Sequence, residues 1–249
     1  MRADKFGNGI FWELYKDLER QFQNFLEYVP YLDENKDVIS FRLLNLILNI
    51  GGYVDSAFKE MARYPKFSNN DDCKEILEIL KEADENIKEG KAPRTVSIRL
   101  PLRAFEQEYG LFKRKVIFRR FPEREPLIPF QPHNEKTNAP KWWEIYNGLK
   151  HDISANIEEA NLQNTLNALA SAFLLNAIHI PSALRLFSYG VLRIAFVSPV
   201  AYNPDENPMR PTQSNLRVVK SWLEEKREIY GGFVETPIFI YSCEERREL

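Results

Sequence analysis

The stretch WWEIYNGLKHD, residues 142–152, carries the most informative pattern in the chain. It follows Pro140, which suits the first turn of a helix because no N–H is needed there. A longer stretch, residues 157–179, comes next and repeats apolar residues at three- and four-residue spacing: Leu162, Leu166, Leu169 and Phe173. This spacing predicts two successive helices, the second broadly buried and ended by Pro181.

The same apolar spacing predicts three earlier helices, at residues 8–29, 40–64 and 71–89. The middle one contains Gly51 and Gly52, which together cost roughly 2 kcal/mol relative to alanine in a helix. We therefore expect either a kink at this point or close packing against another helix that compensates for the cost.

The sequence pattern changes between residues 91 and 139, where prolines interrupt any long helix. Thr95–Leu100 and Lys115–Phe121 alternate like short strands. Residues 186–249 are mixed, with a strand or buried turn at 189–200, a helix at 214–230 and a strand at Phe233–Ser242. We predict a mainly α fold: a helical bundle over residues 1–185 with a partly β, basic insertion at 91–139, and a mixed α/β C-terminal extension at 186–249 packed on it.

Composition excludes several classes of function. A net charge of -2 argues against a basic footprint covering the whole protein. Cys73 and Cys243 are far apart and imply no disulfide framework, which favours a reducing, cytoplasmic location. No stretch approaches the roughly 18 apolar residues that span a membrane. With three histidines and no phosphate-loop or zinc-type spacing, the sequence predicts no metal site and no cofactor.

Residues 142–152, together with Ala160-Asn161-Leu162 and Leu166-Asn167-Ala168-Leu169, resemble the last two core helices of HEPN-like proteins. This helical-bundle group occurs in toxin–antitoxin, CRISPR-linked and other prokaryotic defence systems. The resemblance implies a HEPN-like bundle that acts on RNA and forms a homodimer. It also implies a protein partner such as an antitoxin or a larger effector.

Nucleolytic members of the group carry an arginine shortly before a histidine on one helix. The resemblance maps the histidine onto His151, but Glu144, Ile145 and Tyr146 stand where the arginine is expected. Metal-independent RNA cleavage needs a base for the 2′-hydroxyl and a cation for the developing charge. Histidine is the residue type whose unperturbed pKa lies near neutrality, so His151 suits the role of base. The candidate catalytic residues are His151, Lys150, Asn147 and Tyr146.

Geometry on a helix limits how these four side chains can cooperate. Lys150 precedes His151 directly and points about 100° away around the helix. Tyr146 and Lys150 share one face, while Asn147 and His151 share the neighbouring face. Two alternatives remain open for His151: a local hydrogen bond at the helix end, or a binding role without catalysis.

The insertion carries the marked charge bias of the chain. Basic residues interleaved with Phe112, Phe118 and Phe121 can hold a phosphate backbone while unpaired bases stack. An alternative is a solvated edge strand that its charges protect from aggregation. The candidate nucleic-acid-binding residues are Lys113, Arg114, Lys115, Arg119, Arg120 and Arg124.

Asparagines recur in the apolar helices, at Asn45, Asn49, Asn161, Asn164 and Asn167. Buried amides need partners, so they either set the register between helices or line a polar pocket. The leading hypothesis is an RNA-directed protein of a prokaryotic defence or stress system, which binds RNA and in its stronger form cleaves it without metal. The alternative is a non-catalytic dimerisation or interaction module that docks a protein partner.

Overall fold

The computed structural model describes residues 9–133, 136–194 and 232–242, and these residues are mainly helical, as predicted. Short 3₁₀ turns lie at Asp33–Asn35, Pro65–Phe67, Leu111–Lys113 and Ile157–Glu159. The helices of the described ranges are α1 Ile10–Leu26, α2 Phe41–Met61, α3 Asp71–Lys88, α4 Arg99–Tyr109, α5 Lys141–His151, α6 Ile153–Asn156, α7 Leu162–Ile178 and α8 Ile180–Ser188.

Helix α7 forms the centre of the bundle. It contacts α1, α2, α5 and α8, and every one of its residues is buried except Gln163 and Asn167. Its apolar residues cover the whole circumference, which is the pattern of a helix surrounded by others. Buried Asn176 keeps its amide satisfied by donating to Ala172 O at 2.9 Å and to the Tyr53 hydroxyl.

Side-chain caps begin three of the longer helices. Ser40 Oγ accepts from the backbone N–H of Leu43 at 3.1 Å, at the start of α2. Asn70 and Asn161 accept in the same way at the starts of α3 and α7, each at 2.9 Å. These bonds satisfy N–H groups that have no partner within a helix.

The recurring asparagines do not set the register between helices. Asn45 and Asn49 are exposed on α2, and Asn161 caps α7. Asn164 is buried and donates to Glu159 O at 2.9 Å, within its own turn. Asn167 is half-exposed at the edge of a cleft. This position matches the second alternative from the sequence, an asparagine that lines a polar pocket.

Close helix packing explains the glycine pair in α2. A Cβ on Gly51 would lie 2.2 Å from Cδ2 of Tyr146, so α5 rests its tyrosine ring directly on the α2 backbone. A Cβ on Gly52 would meet nothing within 4 Å. Only Gly51 is therefore required by the contact between α2 and α5.

The predicted strand at Thr95–Leu100 is wrong, because α4 begins at Arg99. Pro101 lies in the first turn of α4, where a missing N–H costs no hydrogen bond. Phe105 stacks on Phe58 of α2, with ring centroids 5.6 Å apart. Burial against α2 and α3 therefore stabilises a helix in a segment whose proline content suggested irregular structure.

The insertion and the C-terminal extension share one antiparallel sheet, in the order β1-β4-β3-β2. The region predicted as one strand, Phe233–Ser242, is a hairpin reversed at Thr236, whose Oγ1 accepts from Phe239 N at 3.0 Å. The helix expected at 214–230 lies outside the described residues. The strands are β1 Ile117–Phe118, β2 Leu192–Ile194, β3 Gly232–Glu235 and β4 Phe239–Ser242.

The sheet packs on the bundle through β4, since the ring of Phe239 stacks on Phe173 of α7 at 5.5 Å. Within the described ranges no single helix has the length and hydropathy to cross a membrane; α7 and α8 reach that length only together, and the chain bends by 86° between them.

Candidate functional site

The candidate base His151 is the last residue of α5 and is exposed. Its imidazole makes no hydrogen bond, ion pair or ring contact with any residue in the described ranges. The helix ends here because Asp152 turns away to cap α6, accepting from Ala155 N at 3.1 Å. That hydrogen bond holds the pKa of Asp152 below its usual value. The carboxylate of Asp152 therefore caps α6 and does not orient the neighbouring imidazole of His151.

Tyr146 and Lys150 share a face, as their spacing predicted, with the ammonium 5.9 Å from the centre of the tyrosine ring. The ring of Tyr146 is buried against Gly51 and against Trp143, whose centroid lies 5.0 Å away. Burial, helped by the charge of Asp55, raises the pKa of Tyr146. Tyr146 therefore acts as a packing residue between α2 and α5.

The end of α5 offers an accessible base without a fixed charge partner. Asn147 is half-buried and makes no side-chain hydrogen bond within the described ranges. Lys150 is the cation next in sequence, and its ammonium lies over a tyrosine ring. Proton transfer with charge stabilisation needs both groups held at the reacting atoms. Within the described residues, the imidazole of His151 is accessible and no cation is held against it.

Three of the six predicted nucleic-acid-binding cations stand exposed without carboxylate partners in the described ranges. Lys113, Lys115 and Arg120 form no ion pair with any residue that the structure describes. Val116 and Phe118 point into the core between them, as the alternation along β1 predicts. Arg120 lies beyond the end of β1 at Phe118, so the alternation of buried and exposed side chains does not extend to it. We call Lys113, Lys115 and Arg120 the basic edge.

The other three predicted nucleic-acid contacts are engaged elsewhere. Arg114 is buried and donates from Nε to Tyr109 O at 2.7 Å, so it does not belong to the exposed surface. Arg119 pairs with Glu235 at 2.9 Å, and Arg124 pairs with Asp33 at 3.3 Å. Arg114 was indistinguishable by residue type from its neighbours, and only its packing separates it from them.

No contact joins the basic edge to His151 among the described residues. The insertion meets α5 at the start of the helix, where Trp142 Nε1 donates to Pro129 O at 2.8 Å. His151 lies at the opposite end of α5, about 15 Å away along the axis at the usual rise per residue. Pro129 of the insertion and His151 therefore lie towards opposite ends of one helix.

A cleft of about 760 Å³ lies beside the basic edge. It opens between the α1–α2 connection, residues 124–133 of the insertion, and the first turns of α5 and α7. We call it the amide cleft. Its wall and floor include Tyr31, Arg124, Gln131, Trp142, Gln163 and Asn167, with Lys36 and Lys141 also lining it. The sequence offered one signal for it, the polar-pocket interpretation of Asn167.

A second cleft, of about 570 Å³, lies between α1 and the β3–β4 hairpin. Glu19 in its wall is only 4% exposed. Its carboxylate accepts from the Tyr15 hydroxyl at 2.9 Å and from the hydroxyl of Thr236. Burial raises the pKa of Glu19, although these donors oppose the shift. This carboxylate ties the C-terminal hairpin to α1.

The described residues contain no cluster of three or more His, Cys, Asp or Glu side chains that could hold a metal ion. Comparisons of the chain with protein-family models, with curated proteins and with solved structures found no match.

Proposed function

We propose that this chain binds RNA through the basic edge, as an RNA-directed, HEPN-like protein of a prokaryotic defence or stress system. The observation that carries the proposal is the set of exposed, unpaired cations Lys113, Lys115 and Arg120. Cations without carboxylate partners are free to displace counterions from a phosphate backbone, and this release drives nucleic-acid binding. The overall charge of -2 leaves such binding to a local surface of this kind.

Ribonuclease activity is the stronger form of this proposal. His151 is accessible for proton transfer, and its ring nitrogens are not engaged by any described residue. The missing cation would come from Lys150 after it leaves the ring of Tyr146, or from a second copy of the chain. The resemblance of residues 142–152 to the HEPN-like motif helix supports this assignment.

The RNA-binding proposal is tested by gel shift with a labelled single-stranded RNA. A triple variant, Lys113→Gln, Lys115→Gln and Arg120→Gln, is compared with Lys81→Gln, Lys88→Gln and Arg99→Gln. The second set removes the same charge from exposed residues of α3 and α4 that form no ion pair in the described ranges. We expect the first variant to bind at least about tenfold more weakly than the second. Equal affinities for the two variants would refute the assignment to the basic edge.

The ribonuclease proposal is tested with wild type and His151→Ala, incubated with structured and single-stranded RNA in the presence of EDTA. Cleavage by wild type that disappears in the variant supports His151 as the base. Because His151 is exposed and makes no described contact, the variant should fold normally. Equal cleavage by both proteins, or none by wild type, would refute the catalytic form while leaving RNA binding to its own test.

A non-catalytic homodimer is the second candidate, and exposed apolar side chains favour it. Tyr28, just beyond α1, is 78% exposed, and Phe41, at the start of α2, is 75% exposed. Aromatic side chains such as these are enriched in protein interfaces. Light scattering of wild type and of a Tyr28→Ser, Phe41→Ser variant tests this. A wild-type dimer that dissociates in the variant supports it, and a monomeric wild type rejects it.

A further inference from the structure

We propose that the amide cleft is a binding site for one nucleotide unit, a base together with its phosphate. The inference goes beyond RNA binding at the basic edge, because the ligand is either a free nucleoside monophosphate or one unit of a bound RNA strand. Only the second of these sources rests on the proposed function.

The floor of the cleft is the one exposed part of α7, a helix that is otherwise buried. Gln163 and Asn167 lie one turn apart and are the only residues of α7 that are not buried. Both line the cleft. The amide of Asn167 has no hydrogen bond to any described residue. Packing covers the rest of α7, so the exposed part of this helix consists of the two amides that line the cleft.

The orientation of Gln163 is fixed by a neighbour. The hydroxyl of buried Tyr31 donates to Gln163 Oε1, which leaves the NH₂ group of Gln163 to act as a donor. Asn167 adds one donor group and one acceptor, and so does Gln131, which makes no side-chain bond to any described residue. Alternating donors and acceptors of this kind match the edge of a nucleobase.

The remaining walls suit the ring and the phosphate of the same ligand. Only small exposed parts of the buried Tyr31 and Trp142 rings line the cleft, and Lys36, Arg124 and Lys141 supply positive charge. Lys36 and Arg124 share a single carboxylate, Asp33, whose pKa is lowered by them. Glu125 also lines the cleft, and Lys141 pairs with Glu159 at 3.4 Å. The three cations exceed the two lining carboxylates, Asp33 and Glu125, by one, and this excess favours an anion. A volume of about 760 Å³ lies within the usual range for small-ligand pockets.

The cleft adjoins the basic edge through hydrogen bonds of the backbone. Val116 and Leu127 exchange two N–H···O bonds, each 2.8 Å long. Leu127 lines the cleft, and Val116 follows Lys115 of the basic edge. A strand of RNA held at the basic edge can therefore place one unit in the cleft without leaving the surface of the insertion.

The test is isothermal titration of the full chain with AMP, CMP, GMP, UMP and inorganic phosphate at constant ionic strength. The cleft variants are Asn167→Ala and Lys141→Ala. The matched controls are Asn45→Ala and Lys81→Ala, an exposed amide and an exposed lysine without partners in the described ranges. Thermal melting checks that all four variants keep the fold.

We expect at least one mononucleotide to bind, and each cleft variant to weaken it by about tenfold while the controls do not. Inorganic phosphate that binds as tightly as the mononucleotides would overturn the proposal, because the base would then contribute nothing. Mononucleotide binding that is unchanged in both cleft variants would also overturn it.

A second arm separates the two sources of the ligand, using a fluorescein-labelled oligouridylate. If no free mononucleotide binds but the cleft variants weaken RNA binding relative to the controls, the ligand is a unit of the RNA. If neither ligand distinguishes the cleft variants from the controls, the cleft proposal fails. A wild type that binds mononucleotides at the cleft but binds no RNA would refute the proposed function and leave the cleft proposal standing.

Discussion

Two adjacent glycines in α2 experience opposite environments, which makes them a matched pair. Alanine at Gly51 would place a methyl group 2.2 Å from the ring of Tyr146, whereas alanine at Gly52 would meet open space. We expect Gly51→Ala to lower the free energy of unfolding by about 1–3 kcal/mol through overpacking. Gly52→Ala should raise it by about 0.5–1 kcal/mol, since alanine favours the helix. Urea denaturation of both variants measures the difference.

The sign of the Gly52 result decides between two explanations of the pair. If Gly52→Ala raises the free energy of unfolding and Gly51→Ala lowers it, close packing of Tyr146 explains why glycine is needed at position 51 and not at position 52. A loss of similar size at both positions would indicate that α2 needs backbone freedom here, and would contradict the contact.

Glu19 predicts a specific dependence of stability on pH. Burial raises its pKa in the folded chain from the ordinary value of 4.5. A raised folded pKa contributes stability that is fully present below about pH 4.5 and is lost as the pH rises through the folded pKa. Relative to wild type, Glu19→Gln should therefore gain unfolding free energy between pH 4.5 and neutrality, which chemical denaturation across that interval measures.

The control for Glu19 lies on the same helix. Glu13 is exposed and pairs with Lys16 at 2.8 Å, so Glu13→Gln removes a carboxylate that is not buried. If the free energy of unfolding of Glu19→Gln changes with pH in parallel with that of wild type, the charged form of the buried carboxylate does not destabilise the fold.

At the scale of elements, one indole hydrogen bond joins the insertion to α5. Trp142 and Trp143 are both buried, but only Trp142 donates, to Pro129 O at 2.8 Å. Nε1 of Trp143 has no partner among the described residues. We expect Trp142→Phe to lower the free energy of unfolding by about 1–2 kcal/mol more than Trp143→Phe, because it leaves the carbonyl of Pro129 unsatisfied. Equal losses in denaturation experiments would show that the bond contributes nothing beyond packing.

Helix boundaries show how far local patterns predict elements. Residues 71–89 were predicted as a helix and α3 spans Asp71–Lys88, because its apolar spacing and the cap at Asn70 are both local. The helix α4 was missed, although Phe105 and Tyr109 have helical spacing. From the sequence alone Pro101 predicts a break in a helix, whereas a proline in the first turn is tolerated.

At the scale of the whole molecule, RNA binding by the basic edge predicts a modest dependence on salt. Three unpaired cations on a single-stranded RNA give a slope of about −2 in a plot of log affinity against log salt. Affinity should therefore fall roughly 20-fold between about 50 and 200 mM salt. Fluorescence anisotropy at several salt concentrations measures the slope. A much steeper slope would mean that further cations, outside the basic edge, contact the phosphates.

Local sequence was sufficient for the mainly α fold, for most helix positions and for the charge bias of the insertion. Helical periodicity follows from the backbone geometry of each segment, so it can be recognised without knowing what the segment packs against. For the same reason the shared face of Tyr146 and Lys150 was predicted and is confirmed by their contact.

Only the tertiary structure separated buried Arg114 from exposed Lys113 and Lys115, and only it placed Pro129 of the insertion at the start of α5, away from His151 at its end. The amide cleft likewise depends on segments distant in sequence, around Tyr31, Arg124 and Asn167. Which side chains meet across such distances depends on how the helices pack, and packing is a property of the whole chain that no local pattern encodes.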